Sequence, residues 1–345
     1  MGTLSLNDFQ DVKIPAPWGH ISGRWYGNRT ERPILAIHGW LDNLGTFDRL
    51  IPLLPDYLGV LCIDLPGHGR SSHIQPGMCY NAFDYVFIIP RVMKEYGWRK
   101  VSLMGHSLGA MMCFIYTSLA PHTVDMVISL DKLLPTSSPR SNQLEHRAQK
   151  MERHLIEEDR QEKVNLHEPP SYSYAQLCKL LAKGSSDSVT PELAKHLLYR
   201  QVTKSQLYPD RFFFSRDGRV KFYNVPHIEL GLAEEMARRI QRKPYLIIKG
   251  SKSIHLPLDQ CKGTMSILSH NNPHYEFYEV EGTHHVHLHA AEECARFIVP
   301  FIRHHRPPIL TSWSLAGKEA KLSLTERRRE QEKYLERSRN NRSKL

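Results

Sequence analysis

The sequence lacks any apolar run near the roughly 18 residues that a membrane-spanning helix needs. Stretches such as "VFII" and "MMCFIY" stop far short of that. Cysteine is sparse. Six residues (62, 79, 113, 178, 261 and 294) lie scattered with no C-x-x-C pair, which fits reduced intracellular thiols better than a disulfide framework or a zinc site. The N-x-S/T sequons at Asn28 and Asn341 therefore read as chance matches. The opening "MGTLSLNDFQDVKIP" has no basic segment followed by an apolar stretch, so no secretory signal is expected. Internal repeats are absent. A basic stripe interleaved with aromatics is absent too, although the formal net charge is +10. Residues 321–345 carry nine Lys/Arg against four Asp/Glu, a net of +5, so half the excess sits in a tail and nucleic acid is not expected as a partner.

What is present alternates. "PILAIHG" (33–39), "GVLCIDLPG" (59–67), "KVSLMGHS" (100–107), "VDMVISLD" (124–131), "PYLIIKG" (244–250) and "YEFYEV" (275–280) read as strands bounded by Gly and Pro. Their near-continuous apolar character implies burial on both faces, hence a mostly parallel sheet with helices on both sides, an α/β fold. Between residues 132 and 242 strand signals stop and polar segments of helical period take over: "NQLEHRAQKMERHLIEEDRQEK", "YSYAQLCKLLAKG" and "TPELAKHLLYRQV", the last with Thr190 as N-cap and Pro191 at the first helical position. The expected organisation is a core of residues 1–131 and 243–308, a helical cap inserted at 132–242, and a charged tail at 309–345.

The strand "VSLM" runs into Gly105-His106-Ser107-Leu108-Gly109 and continues as a helix, a G-x-S-x-G element in the strand-turn-helix setting that gives the pattern meaning. A serine on such a turn has strained backbone, and the flanking glycines avoid collisions with the neighbouring strand and helix. The hydroxyl then projects at the carboxyl ends of the strands, and the Leu108 N–H lies at a helix start where it can stabilise an oxyanion.

With these residues the sequence resembles the α/β-hydrolase family over most of its length outside the insertion and tail. "HGWLDN" (38–43) and "DLPGHGRSS" (64–72) make it most like the animal serine hydrolase-like proteins. The resemblance implies that His38, Gly39 and Trp40 form an oxyanion loop, with the Trp40 backbone N–H as second donor beside Leu108, and that Gly105, His106 and Gly109 support the nucleophile turn.

The family order of serine, acid, histidine places the base on the loop after the last strand. Here that loop is "EGTHHVHLHAAEECARFI". Of its four histidines, His284 matches the family's Gly-x-His, leaving His285, His287 and His289 as pocket lining or bystanders. A metal site is the rival use of such a run, but it supplies no carboxylate at ligand spacing and no second His-rich segment, so no metal is expected.

The resemblance places an acid about three residues past the glycine of "PYLIIKG", where Ser253 stands instead. A serine cannot supply the negative charge that stabilises an imidazolium. Some family members carry the acid at the end of the strand after the nucleophile's helix, and that strand ends in Asp131. Asp131 is the expected acid. The alternatives are an Asp131 that merely turns the chain, or Asp259 in the next helix.

The chain ends Ser343-Lys344-Leu345, the form of a peroxisomal import signal read by a receptor. The expectation is thus a serine hydrolase acting through an acyl-enzyme on a small acyl substrate, an ester or thioester, in peroxisomes, without a cofactor. The alternative is a weakly active or inactive binding protein for an apolar acyl ligand.

Overall fold

The computed structural model describes residues 2–134, 143–164, 168–222 and 228–308. The tail at 309–345, with Ser343, Lys344 and Leu345, lies outside them. The chain divides into a unit Met1–His305 and a second unit Arg306–Leu345.

Eight strands form one sheet in the order β1-β2-β4-β3-β5-β6-β9-β10. The six expected from apolar runs are β3 (Ile34–Ile37), β4 (Val60–Ile63), β5 (Val101–His106), β6 (Val124–Leu130), β9 (Tyr245–Gly250) and β10 (Tyr275–Val280), and these pair parallel. β1 (Phe9–Ala16) and β2 (Gly19–Tyr26) add an antiparallel hairpin at one edge. That hairpin escaped the sequence reading because an edge strand with one wet face alternates instead of running apolar. β1 alternates loosely, with Lys13, Asp11 and Gln10 among its apolar residues.

Alternate side chains of the same strands feed two cores. Leu35, Ile37, Leu103, Val127 and Ile247 pack with α1 (Ala82–Val86), α2 (Ile88–Tyr96), α3 (Leu108–Leu119), α7 (Leu230–Arg239) and α8 (Leu258–Asn271). Ile34, Ala36, Met104, Ile128 and Ile248 face the other way, toward α9 (Val286–His289), α10 (Ala291–His305) and the short 3-10 turns after β3. A side-chain period of two turned to both faces is what makes these strands read as unbroken apolar runs.

Between β6 and β9 lie α4 (Gln143–Val164), α5 (Tyr174–Gly184) and α6 (Lys195–Gln201). Ser173 and Gln176 close a capping box at the start of α5. Two further features depart from the all-helical expectation. Residues 202–204 and 212–214 pair as a short antiparallel ribbon, β7 (Val202–Lys204) and β8 (Phe212–Phe214). Helix α6 also starts at Lys195, four residues after Pro191, because Thr190 to Ala194 form a turn in which the Thr190 carbonyl accepts from both Leu193 and Ala194 N–H. The insertion belongs to the same compact unit as the sheet. Its firmest tie is Arg200, whose guanidinium donates to Asp64 Oδ2 at 2.7 and 3.1 Å and to Ser22 Oγ at 3.1 Å, with both ionic side chains fully buried.

Candidate active site

Adjacent strands end together at the carboxyl rim of the sheet. His106 pairs with Leu130, and Leu130 with Ile248. The residues that follow, Ser107 and Asp131, are therefore neighbours on the rim, and both leave their strands with positive φ (51° and 53°). Left-handed backbone is costly for residues with a Cβ and persists only where the surroundings enforce it.

The surroundings of Ser107 do so. A Cβ on Gly105 would lie 2.3 Å from the Gly109 carbonyl carbon, and one on Gly109 would lie 2.1 Å from the Ile37 carbonyl oxygen. The turn closes so tightly that the start of α3 presses on β3, held by the Gly109 N–H donating to the His38 carbonyl at 3.1 Å. Only glycine fits at either position. Leu108 is the first residue of α3, so its N–H has no carbonyl a turn earlier within the helix. Gly39 brings the 38–40 loop alongside: a Cβ there would lie 3.1 Å from the Ser107 Cβ. His38 is fully buried beneath this loop and accepts from the Leu65 N–H at 2.9 Å. The Trp40 indole donates to the Val220 carbonyl of the insertion at 2.6 Å. Asn43 and Gln201 add two further bonds between this loop and the insertion, to Leu197 and Leu41 carbonyls at 2.9 and 3.1 Å.

His284 lies between Ser107 and Asp131. Its Nε2 is 2.8 Å from Ser107 Oγ and its Nδ1 is 2.6 Å from Asp131 Oδ2. The fully buried Asp131 carboxylate accepts from the Gly250 N–H at 2.8 Å and from the Ser253 hydroxyl. Ser253 Oγ in turn accepts from the His255 N–H at 3.1 Å. The position that carries no carboxylate thus supports one that arrives from the neighbouring strand. Asp259, in the first turn of α8, makes no hydrogen bond to His284 among the described residues.

Burial pushes the Asp131 carboxyl up to about 7, against the lowering influence of Ser253, the Gly250 N–H, Lys249 and Lys132. Burial also drives His284 well below the usual imidazole range, helped by His106, His285, His255 and Lys132 around it. Both directions favour a resting neutral imidazole, with Nδ1–H donating to Asp131 and Nε2 free to accept from the serine. The His255 ring lies over His284 with centroids 3.9 Å apart and limits its rotation.

The remaining histidines of the run divide. His289 is exposed, whereas His287 is fully buried with its Nε2 2.9 Å from Thr46 Oγ. His285 is buried between Ser188, at 2.9 Å, and Asp42. Asp42 also faces His106, so the residues chain-adjacent to Ser107 and His284 meet on one carboxylate. Asp42 lies within "HGWLDN" but has no role assigned by that motif, and Ser188 and Arg200 carry no sequence signal because their partners lie on distant elements.

Comparison with known proteins follows the same lines. Residues 32–288 match the model of the alpha/beta hydrolase fold family. The chain is 33% identical over 305 residues to a probable serine hydrolase of Drosophila melanogaster, covering 87% of this chain and 89% of that protein. It is 31% identical over 309 residues to serine hydrolase-like protein 2 of Homo sapiens, covering 85% and 94%. Among solved structures it is similar to the thioesterase domain of a curacin biosynthetic pathway (TM-score 0.68, 21% identity, 85% of this chain and 100% of that one). It is also similar to a hypothetical protein of Pseudomonas aeruginosa (TM-score 0.67, 24% identity, 85% and 99%). A parallel sheet with a strained serine turn at its rim, a family match across most of the length and relatives sharing about a third of its residues lead to one conclusion: the chain belongs to the α/β-hydrolase family and is related to the animal serine hydrolase-like proteins.

Proposed function

We propose that the protein is a serine hydrolase that cleaves a carboxylic ester or thioester through an acyl-enzyme. The observation that carries this reading is the unbroken chain of hydrogen bonds from Ser107 through His284 to Asp131, on a turn whose strain has no evident structural use. In this reading Ser107 Oγ attacks the acyl carbon as His284 Nε2 takes its proton, and the Leu108 and Trp40 N–H groups hold the oxyanion. The imidazolium so formed is stabilised by Asp131, then gives the proton to the leaving alcohol or thiol. Water repeats the sequence to release the acid. The insertion, bonded to the oxyanion loop through Trp40, Asn43 and Gln201, would roof the cleft and set substrate size. Fatty-acyl esters or thioesters are the proposed substrates, on the expectation that Ser343-Lys344-Leu345 directs the protein to peroxisomes; removal of these three residues should then leave it in the cytosol.

The alternative, a binding protein on a hydrolase scaffold, would follow if the serine at position 253 left the triad without its acid. The hydrogen bond from Ser253 to Asp131 weakens that case. The deciding experiment is labelling of the folded protein with a fluorophosphonate probe. Labelling lost in Ser107→Ala and slowed in His284→Ala supports hydrolysis; a folded wild type that does not label favours the binding protein.

A further inference from the structure

The carboxylate shared by His106 and His285 poses a problem of hydrogen-bond bookkeeping. His106 Nε2 is 3.2 Å from the His284 carbonyl, which can only accept, so the proton of a neutral His106 ring sits on Nε2. Its Nδ1 then presents a lone pair toward Asp42 Oδ2, 3.4 Å away. The same reasoning holds for His285. Thr283 Oγ1 donates to the Ser188 carbonyl at 3.4 Å, and Ser188 Oγ donates to Thr283 Oγ1 at 3.1 Å. Ser188 Oγ therefore accepts from the His285 backbone N–H at 2.8 Å and from the His285 Nδ1–H at 2.9 Å. That leaves a lone pair on His285 Nε2, which faces the same Asp42 oxygen at 3.6 Å. Three acceptors converge in a buried place, and among the described residues Asp42 Oδ2 and His106 Nδ1 have no hydrogen-bond partner there. Such a group in a native interior calls for a cation, a proton or a water. Protons on both rings would bury two imidazolium ions about one carboxylate.

The spacing suits an ion. Ligand atoms about 2.0–2.1 Å from zinc at tetrahedral angles lie about 3.3–3.4 Å apart, close to the 3.4 and 3.6 Å found here, and all three donor atoms lie within 4.8 Å of one another. The second nitrogen of each ring is already tied to an orienting partner, as metal-ligating imidazoles require. His287 has a further buried nitrogen, Nδ1, without a hydrogen-bond partner among the described residues, on a ring 4.3 Å from that of His106. We propose that Asp42, His106 and His285 form a binding site for a late first-row divalent ion, Zn2+ foremost, directly beneath the nucleophile turn. No spacing rule finds it, because its ligands come from the end of β5 and from two loops distant from it in the chain. An ion there would fix the residues adjoining Ser107 and His284 in the chain.

The test is titration of full-length, chelator-stripped protein with Zn2+ in competition with a chromophoric chelator. Asp42→Asn, His285→Gln and His304→Ala/His305→Ala are titrated beside it; the last removes an exposed cluster of His274, His304 and His305 that could also take an ion. The expected result is one tightly held ion per chain, bound about tenfold or more weaker in the Asp42 and His285 variants and unchanged in the double variant. Absence of saturable binding, or unchanged affinity in both Asp42→Asn and His285→Gln, overturns the site. Because Asp42 is buried and its variant can fail to fold, the wild type is also loaded with Co2+. Intense visible absorption of a four- or five-coordinate ion supports the site, and the weak spectrum of the hydrated ion refutes it. Neither readout needs hydrolysis, so the site stands or falls independently of the roles given to Ser107 and His284.

Discussion

The Ser253 hydroxyl and the Asp131 carboxylate, 122 residues apart, are joined by a hydrogen bond, and the Asp131 oxygen concerned is the one bonded to His284 Nδ1. The residues that follow two strand ends, β6 and β9, thus meet at the carboxylate oxygen that holds the His284 ring. A carboxylate could serve His284 from either side.

This makes the acid movable. Asp131→Asn should reduce turnover by about 10³–10⁴-fold, the usual loss when the group orienting a catalytic imidazole cannot take its charge. Adding Ser253→Asp to that variant should recover at least about tenfold. Activity of Asp131→Asn within a few-fold of wild type would exclude the role, and a folded double variant with no recovery would show that the β9 end cannot reach the ring.

The same carboxylate should cost stability. Its pKa is raised from an ordinary 3.8 to about 7, mainly by burial, so the folded state binds a proton that the unfolded state releases between those values. Stability contributed by this group is complete below pH 4 and is lost as pH rises toward 7, with a total on the order of a few kcal/mol. Asp131→Asn should therefore match wild type in thermal unfolding at pH 4 and exceed it at pH 8. A variant less stable than wild type at both pH values would show that the charge is fully compensated by Gly250 and Ser253.

How much of this was legible without coordinates follows from where the information sits. Strands buried on both faces announce themselves, and so does the serine turn, because glycine at 105 and 109 is imposed locally by backbone contact. The β1–β2 hairpin carries a weaker, alternating pattern that yields to the stronger runs beside it. Asp131 could be reached through the family resemblance, which in some members places the acid at the end of the strand after the nucleophile's helix. The Asp42 cluster could not be reached at all, since its carboxylate, His106 and His285 come together only when the end of β5 meets two loops at one rim.

Gly109 offers a sharp test of the turn. It lies inside a helix, where alanine is ordinarily favoured by about 1 kcal/mol. Here an added Cβ would lie 2.1 Å from the Ile37 carbonyl oxygen and 2.9 Å from that of His38, both backbone atoms that cannot rotate aside. Steric cost should win. Gly109→Ala is expected to lose about 2 kcal/mol or more in urea unfolding, together with most fluorophosphonate labelling, as the serine turn is pushed from β3. A stabilised variant with normal labelling would mean that the turn has slack these contacts do not suggest.

Arg200 and Asp64 should be the anchor of the insertion. Both ionic side chains are fully buried, and Asp64 also accepts from the Leu44 and Arg70 N–H groups at 2.9 Å. Removing only the cation leaves a buried carboxylate with one partner fewer and costs about 3–5 kcal/mol. Arg200→Met, close in volume and uncharged, should therefore destabilise strongly, and Arg200→Met/Asp64→Asn should regain part of the loss because the stranded charge is gone. Asp64 also holds the turn after β4, so the recovery cannot be complete. If the double variant is no more stable than Arg200→Met, the loss comes from the packing of Arg200 and its bond to Ser22, not from the stranded charge of Asp64.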